Sequence, residues 1–221
     1  MNKIQLHRGA TEPSKPSRMN VVRSIRKAFH FAWKVYKEHA GLFTACLLTF
    51  FAAWVVLEII VIAGQRFGLL LWAIAHISFF IVFAGMEVGL IQICLALHDG
   101  KQVHYVDLFR EIRLGINFLL VQFSYLVMVL GGLALVIVPG VYLGTKYTFY
   151  AFSFAEGNPN LKQSFQLSAV ISQGSVWSLF WFSILILLFN IAGACILGIG
   201  LILTIPLSTL MKVNIYRQLR G

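Results

Sequence analysis

Acidic residues are scarce in this chain, which has only eight Asp and Glu residues among 221, against 18 Lys and Arg. So few carboxylates argue against a metal-dependent lipid phosphatase, whose metal ions need oxygen ligands. Cysteine is scarce too: Cys46, Cys94 and Cys195 all lie in apolar runs and form no metal-like or redox-like pair. We interpret them as small core residues, and we expect neither a metal nor a cofactor.

Charge of either sign is rare. Charged residues make up 12% of the chain and hydrophobic residues 59%, and the mean hydropathy is +0.81. Since soluble domains carry about 25% charged residues, this composition indicates an integral membrane protein. The first apolar run begins at Gly41 and lacks a small-residue cleavage site, so we expect no cleaved signal peptide.

Half of the basic residues lie in the first forty positions. Residues 1–20 are polar and contain Pro13 and Pro16, which predicts a disordered basic cytoplasmic tail. Residues 21–38 repeat apolar side chains at helical spacing opposite a basic face, as in an amphipathic helix at a membrane interface. The basic face consists of Arg23, Arg26, Lys27, Lys34 and Lys37. We expect this cluster to meet anionic lipid headgroups and not nucleic acid.

Six apolar segments predict an all-α integral membrane protein with about six transmembrane helices in one membrane domain, residues 21–221. Their approximate ranges are 41–63, 67–97, 116–138, 141–155, 177–197 and 201–215. Short turns join them into three hairpins, one of them at Pro139-Gly140. An amphipathic interfacial helix precedes each hairpin: the first covers residues 21–38, the second begins near Val106 and the third covers residues 161–172. The second segment is long enough to tilt or break near Gly85.

Basic residues set the expected orientation. Arg66 is the only basic residue in the loops on one side, whereas the other side carries the tail and Lys101, Arg110 and Lys162. The positive-inside rule therefore places both termini in the cytoplasm. A weak internal match sets Pro139–Phe149 beside Pro206–Tyr216, with two lysines within one position of each other. The match reflects either internal duplication or a chance alignment of apolar segments.

A longer pattern covers about residues 100 to 220. It consists of Leu135–Tyr142 (LVIVPGVY), Tyr147–Tyr150 (YTFY) and, after a polar loop, Leu161–Phe165 (LKQSF), followed by Ser168 and Gly174. This pattern resembles a group of uncharacterised bacterial six-helix inner-membrane proteins, which are similar to the membrane region attached to some glycerophosphodiester phosphodiesterases. The resemblance implies a multi-pass protein of the cell inner membrane and no established chemistry. A phosphodiesterase barrel, rich in carboxylates and histidines, has no room in this chain.

Ionisable residues inside the predicted spans are the candidates for a functional site. They are Glu58, His76, Glu87 and Lys146. At about 1.5 Å per residue, Glu58 and Lys146 both lie about 9 Å inside the outer boundary, so an ion pair between them is geometrically possible. His76 lies somewhat deeper and joins that pair if the first two hairpins pack together. Glu87 belongs nearer the inner half, where Gln122 and Tyr125 can reach it. Alternatively its carboxyl group is protonated and neutral, because removal from water disfavours the charged form.

Two interpretations of these charges stay open. Intramembrane charge is costly and marks functional sites by default, which favours a proton or ion relay, or an anionic headgroup site centred on Lys146. The alternative is a structural pair that fixes helix packing, or a lysine that snorkels to the outer interface and needs no partner.

No serine, histidine and acid arrangement and no phosphate-binding glycine loop occurs in the sequence, so we expect no enzyme. The composition favours a non-catalytic scaffold or accessory subunit, whose partners are membrane lipids and other membrane-protein subunits or a second copy of this chain. One alternative is a small transporter or channel with a polar site formed by Glu58, His76 and Lys146. Another is a lipid-handling membrane module, which the resemblance suggests.

Overall fold

The computed structural model describes residues 21–64, 69–157, 160–195 and 200–220. These residues contain nine α-helices and no strand, which confirms the all-helical prediction. The helices are α1 (Val21–Glu38), α2 (Ala40–Gly64), α3 (Leu69–His98), α4 (Gly115–Leu135), α5 (Ile137–Lys146), α6 (Tyr150–Ala155), α7 (Leu161–Ser172), α8 (Val176–Cys195) and α9 (Leu201–Arg220). The predicted tail, residues 1–20, and Arg66 lie outside the described residues.

Four helical stretches among the described residues are long and apolar enough to cross a membrane. They are Ala40–Ile62, Trp72–His98, Tyr105–Leu135 and Val176–Cys195. The predicted segments 141–155 and 201–215 do not join this group. The first is divided between α5 and α6, which have 10 and 6 residues, and the C-terminal half of α9 is polar and basic.

α3 is one continuous helix, so the predicted break near Gly85 is wrong. Gly85 and Gly89 lie one turn apart and face the connection between α3 and α4. A β-carbon on Gly89 would lie only 2.2 Å from the carbonyl oxygen of Leu108. The missing side chain therefore lets this connection pack directly on α3. The connection forms two short 3-10 turns at 105–109 and 112–114, where the sequence pattern predicted an interfacial α-helix.

The turn between α4 and α5 lies three residues before its predicted position. Val136 is extended, with φ −159° and ψ 143°, and α5 begins immediately after it. Pro139 occupies the first turn of α5, where its missing N–H costs no hydrogen bond. The prediction of a turn at Pro139-Gly140 is therefore wrong. Gly140 and Gly132 of α4 instead permit close packing, because a β-carbon on Gly132 would lie 2.8 Å from the Cα of Gly140 and one on Gly140 would lie 2.5 Å from the backbone nitrogen of Leu133.

α1 and α7 keep their predicted ranges, but each has a face that packs against the protein. α1 lies along α9 through the small buried residues Ala28 and Ala32 and through Val35. Its five predicted basic residues are all exposed. α7 packs mainly on α6 and buries Ser168 and Ser172. One face of each amphipathic helix is therefore covered by neighbouring helices.

An ion-pair network joins the ends of α3, α6 and α9. Arg217 donates to Asp99 Oδ2 at 2.6 Å and also contacts Glu156. Glu156 in turn contacts Arg220 and accepts a hydrogen bond from the Tyr216 hydroxyl. These three helix ends therefore lie on the same side of the molecule.

A methyl group added at Gly89 tests the close packing on α3. Gly89→Ala should lower the free energy of unfolding by about 1–3 kcal/mol, the usual cost of overpacking, because the Leu108 backbone must move. Gly131→Ala is the matched control, since nothing lies within 4 Å of a β-carbon built on that helical glycine. Thermal unfolding in detergent compares the two variants, and equal midpoints would contradict the packing.

Removal of the Glu156 charge tests the ion-pair network. Glu156→Gln should destabilise the protein by roughly 1.5–3 kcal/mol, the range for hydrogen bonds to charged groups, and nearer the lower value because Arg220 is partly exposed. The exposed Glu38, changed to Gln, serves as the control. Thermal unfolding at low and high salt measures both variants. An unchanged midpoint for Glu156→Gln would show that the network adds no stability.

Candidate intramembrane polar site

A cavity of about 530 Å³ lies between α2, α3, α4, α6 and α9, and two oppositely charged side chains line it. Glu87 reaches this central cavity from α3 and Lys212 reaches it from α9. Most of the remaining wall is aliphatic and aromatic. Further polar groups come from Tyr125, Thr148, Tyr150 and Thr209. The central cavity therefore combines an acidic and a basic side chain with a mainly apolar enclosure.

Gln122 of α4 orients the Glu87 carboxylate. The Gln122 side-chain amide donates to Glu87 Oε2 at 3.0 Å, which confirms the predicted contact. Tyr125, the other predicted neighbour, instead donates to the Gly144 carbonyl at 2.8 Å and stacks on Tyr150 with ring centroids 4.6 Å apart. One carboxylate oxygen is thus held by an amide, and no cation among the described residues forms a direct ion pair with it.

Lys212 is the charged residue that the sequence pattern did not single out. Within the described part of the chain its side-chain nitrogen makes no hydrogen bond and no ion pair, although Glu87 lines the same cavity. An ammonium has three donors, and these need water or a bound molecule. Two features of the sequence could have identified Lys212. It lies inside the predicted segment 201–215, and the weak internal match aligns it near Lys146.

A second cavity, of about 460 Å³, adjoins the first between α4, α5, α8 and α9. The two cavities share Tyr125, Thr148 and Lys212 as lining residues. Asn190 lines the second cavity and its amide nitrogen lies 3.2 Å from the Ser208 hydroxyl. Lys212 therefore lies at the junction of two cavities that both contain polar groups.

A third cavity, of about 470 Å³, brings together two of the predicted candidates, Glu58 of α2 and His76 of α3. Glu58 is exposed, and His76 Nδ1 lies 2.9 Å from the Trp72 carbonyl oxygen. This cavity shares Phe50 and Phe83 with the central cavity. The structure thus places Glu58, His76 and Glu87 along one series of adjoining cavities.

Lys146 lies apart from that series. Its Nζ is 5.8 Å from the centre of the Tyr142 ring and 5.6 Å from that of Tyr147, as in cation–π contacts. Among the described residues no ion pair joins it to Glu58. These contacts agree with the structural interpretation of this lysine better than with a relay centred on it.

The interruption between α5 and α6 positions Thr148 on both the central and the second cavity. Ser168 of α7 supports this interruption, since its Oγ accepts from the Phe149 N–H at 3.1 Å and donates to the Lys146 carbonyl at 3.4 Å. An interrupted helix leaves backbone N–H and C=O groups without their intrahelical hydrogen bonds. When such groups are buried, each needs another hydrogen-bond partner. One buried hydroxyl therefore stabilises the non-helical segment that lines the cavities.

Known proteins similar to this chain are uncharacterised. The chain is 29% identical over 153 residues to the uncharacterized protein Rv2560 of Mycobacterium tuberculosis, and 29% identical over 157 residues to the uncharacterized protein Mb2590 of Mycobacterium bovis. Each alignment covers 67% of this chain and 45% of the relative, so the chain spans less than half the length of these relatives. No family model and no solved structure matches the chain. These comparisons therefore assign no function to the chain.

Loss of the Ser168 hydroxyl tests its support of the interrupted helix. Ser168→Ala should lower the free energy of unfolding by about 1–3 kcal/mol, because the buried Phe149 N–H loses its acceptor. Ser78→Ala, at an exposed serine of α3, makes the same chemical change without that loss. Thermal unfolding in detergent measures both. Equal shifts for the two variants would contradict a specific role for Ser168.

Proposed function

We propose that the protein is a small multi-pass transporter or channel that moves a polar solute through the cavity of Glu87 and Lys212. One observation carries this proposal: three adjoining cavities are lined by ionisable side chains of α2, α3 and α9, and the acidic Glu87 and the basic Lys212 share the central one without a direct ion pair among the described residues. The proposed activity is non-catalytic.

The energetics of charge explain why this observation favours transport. Ionisable groups inside a membrane are costly and are kept mainly along substrate and ion pathways. A polar solute between Glu87 and Lys212 would accept hydrogen bonds from the ammonium and donate to the carboxylate. A scaffold, which the sequence alone favours, needs no charged cavity, because interhelical packing and neutral hydrogen bonds suffice to hold helices together.

The proposed route runs from the cavity of Glu58 and His76 into the central cavity. Phe50 and Phe83, which line both, meet edge to face with ring centroids 4.8 Å apart. On its other side the central cavity adjoins the second cavity at Lys212. A solute on this route would pass the phenylalanine pair before it reaches the two charges.

The proposal retains six spans in the inner membrane, with α5 and α6 together as the fourth span and α9 as the sixth. Packing of α2 on α3, α4 on α5 and α8 on α9 supports three hairpins. The ends of α3, α6 and α9 share one side, and α1 lies near it, since Phe31 contacts His98 with ring centroids 4.8 Å apart. We assign this side to the cytoplasm because the basic residues of α1 and α9 lie there.

Variants that replace Glu87 and Lys212 by neutral residues test the proposal. Glu87→Gln and Lys212→Met should each reduce solute flux at least about tenfold, because each removes a charge that the solute is expected to contact. The assay uses proteoliposomes and measures protons with an internal pH dye, chloride with a chloride-sensitive dye, and labelled glycine as a zwitterion.

Lys146→Met is the matched control for this experiment. It removes an equal charge from a lysine outside the series of cavities, and its flux should equal that of the natural protein. Flux of any tested solute that survives both cavity variants would contradict the proposed route. Absence of protein-dependent flux for all three probes would count against transport of those solute classes.

A further inference from the structure

We propose a second binding site, separate from the charged cavities: a groove between α1, α8 and α9 that holds an acyl chain of an anionic phospholipid, with Arg26 bound to the phosphate. The groove has a volume of about 670 Å³. Arg26 is the only charged residue among those lining it, and the others are aliphatic, aromatic or methionine. The groove therefore offers apolar walls and one cationic group.

The groove has a buried floor and exposed sides, as a lipid-facing site requires. Ile186 of α8 and Met211 of α9 are buried and form the floor. The sides include Phe29 of α1, 40% exposed, and Leu188 of α8, 59% exposed. Exposed apolar side chains of a membrane protein face acyl chains, which are as apolar as the side chains themselves, and a flexible acyl chain fits between them without a polar partner.

Charge complementarity selects an anionic lipid as the occupant. Arg26, Arg23 and Lys27 are exposed and lie within one turn of each other on α1. None of them forms an ion pair with a described residue, so their charges are available to a ligand. A guanidinium binds phosphate through paired hydrogen bonds. The long arginine stem can line the groove while its charged end reaches the headgroup level.

Neighbouring aromatic residues on α1 add a second feature of lipid contact. Phe29 stacks on Trp33 with ring centroids 6.4 Å apart, and the Lys37 ammonium lies 5.0 Å from the centre of the Trp33 ring. Tryptophan beside basic residues is typical of the headgroup level of a membrane. The exposed side of α1 thus places an aromatic anchor next to the phosphate site at Arg26.

Native mass spectrometry of the full chain, released from detergent with added phosphatidylglycerol or phosphatidylcholine, tests this site. The natural protein should retain phosphatidylglycerol preferentially, and Arg26→Gln should weaken that binding about fivefold, the contribution of one basic residue near an anionic surface. Lys34→Gln removes the same charge from an exposed residue of α1 that does not line the groove, and it should change binding less. Leu188→Trp, which fills the groove, should weaken binding while Arg26 is intact.

Three results would overturn the proposal: equal retention of the two lipids by the natural protein, equal effects of Arg26→Gln and Lys34→Gln, or unchanged binding in Leu188→Trp. A photo-crosslinking amino acid at position 188 identifies the occupant directly. Crosslinks to phosphatidylglycerol support the proposal. Crosslinks to residues 1–20 of the chain or to a second copy of it would show a different occupant. The solute-flux assay does not depend on this groove, so the two proposals can fail separately.

Discussion

Polar groups in the interior of a membrane protein have no bulk water to satisfy them, and much of this structure follows from that constraint. The segment between α5 and α6 leaves the helical conformation only where Ser168 supplies both an acceptor and a donor for its backbone. Glu87 is held by Gln122, and the Tyr125 hydroxyl donates to a backbone carbonyl of α5. These polar groups therefore serve helix packing, as in other membrane bundles.

Lys212 departs from this pattern, and the proposed function is based on that departure. Its ammonium lies at the junction of two cavities and finds no direct partner among the described residues. Lys146, which the weak internal match places within one position of Lys212, lies over tyrosine rings instead. The two lysines share a sequence context but have different surroundings, which explains why one is interpreted as a packing residue and the other as part of a solute site.

α1 illustrates how one amphipathic helix can serve both the protein and the lipid. Its small residues pack along α9, while its basic residues and Trp33 remain exposed. A helix that only floats at an interface would leave its apolar face to the acyl chains. Here α9 covers part of that face, and a groove beside α8 is left for a lipid. The position of α1 along α9 thus makes the groove, our proposed lipid site, which neither helix has alone.

The sequence by itself determined the membrane class, the all-helical fold and the limits of α1 and α7, because composition and helical periodicity are local properties. It also identified Glu87 and its contact with Gln122. Tertiary structure alone decided that α3 is unbroken, that the chain turns at Val136, and that Lys212 shares a cavity with Glu87, 125 positions away in the chain. The reason is physical: α2 and α3 are apolar on all sides, and a lipid tail is as apolar as a helix neighbour. Such a sequence does not specify which face turns inward, so the pairing of charges depends on packing between distant segments.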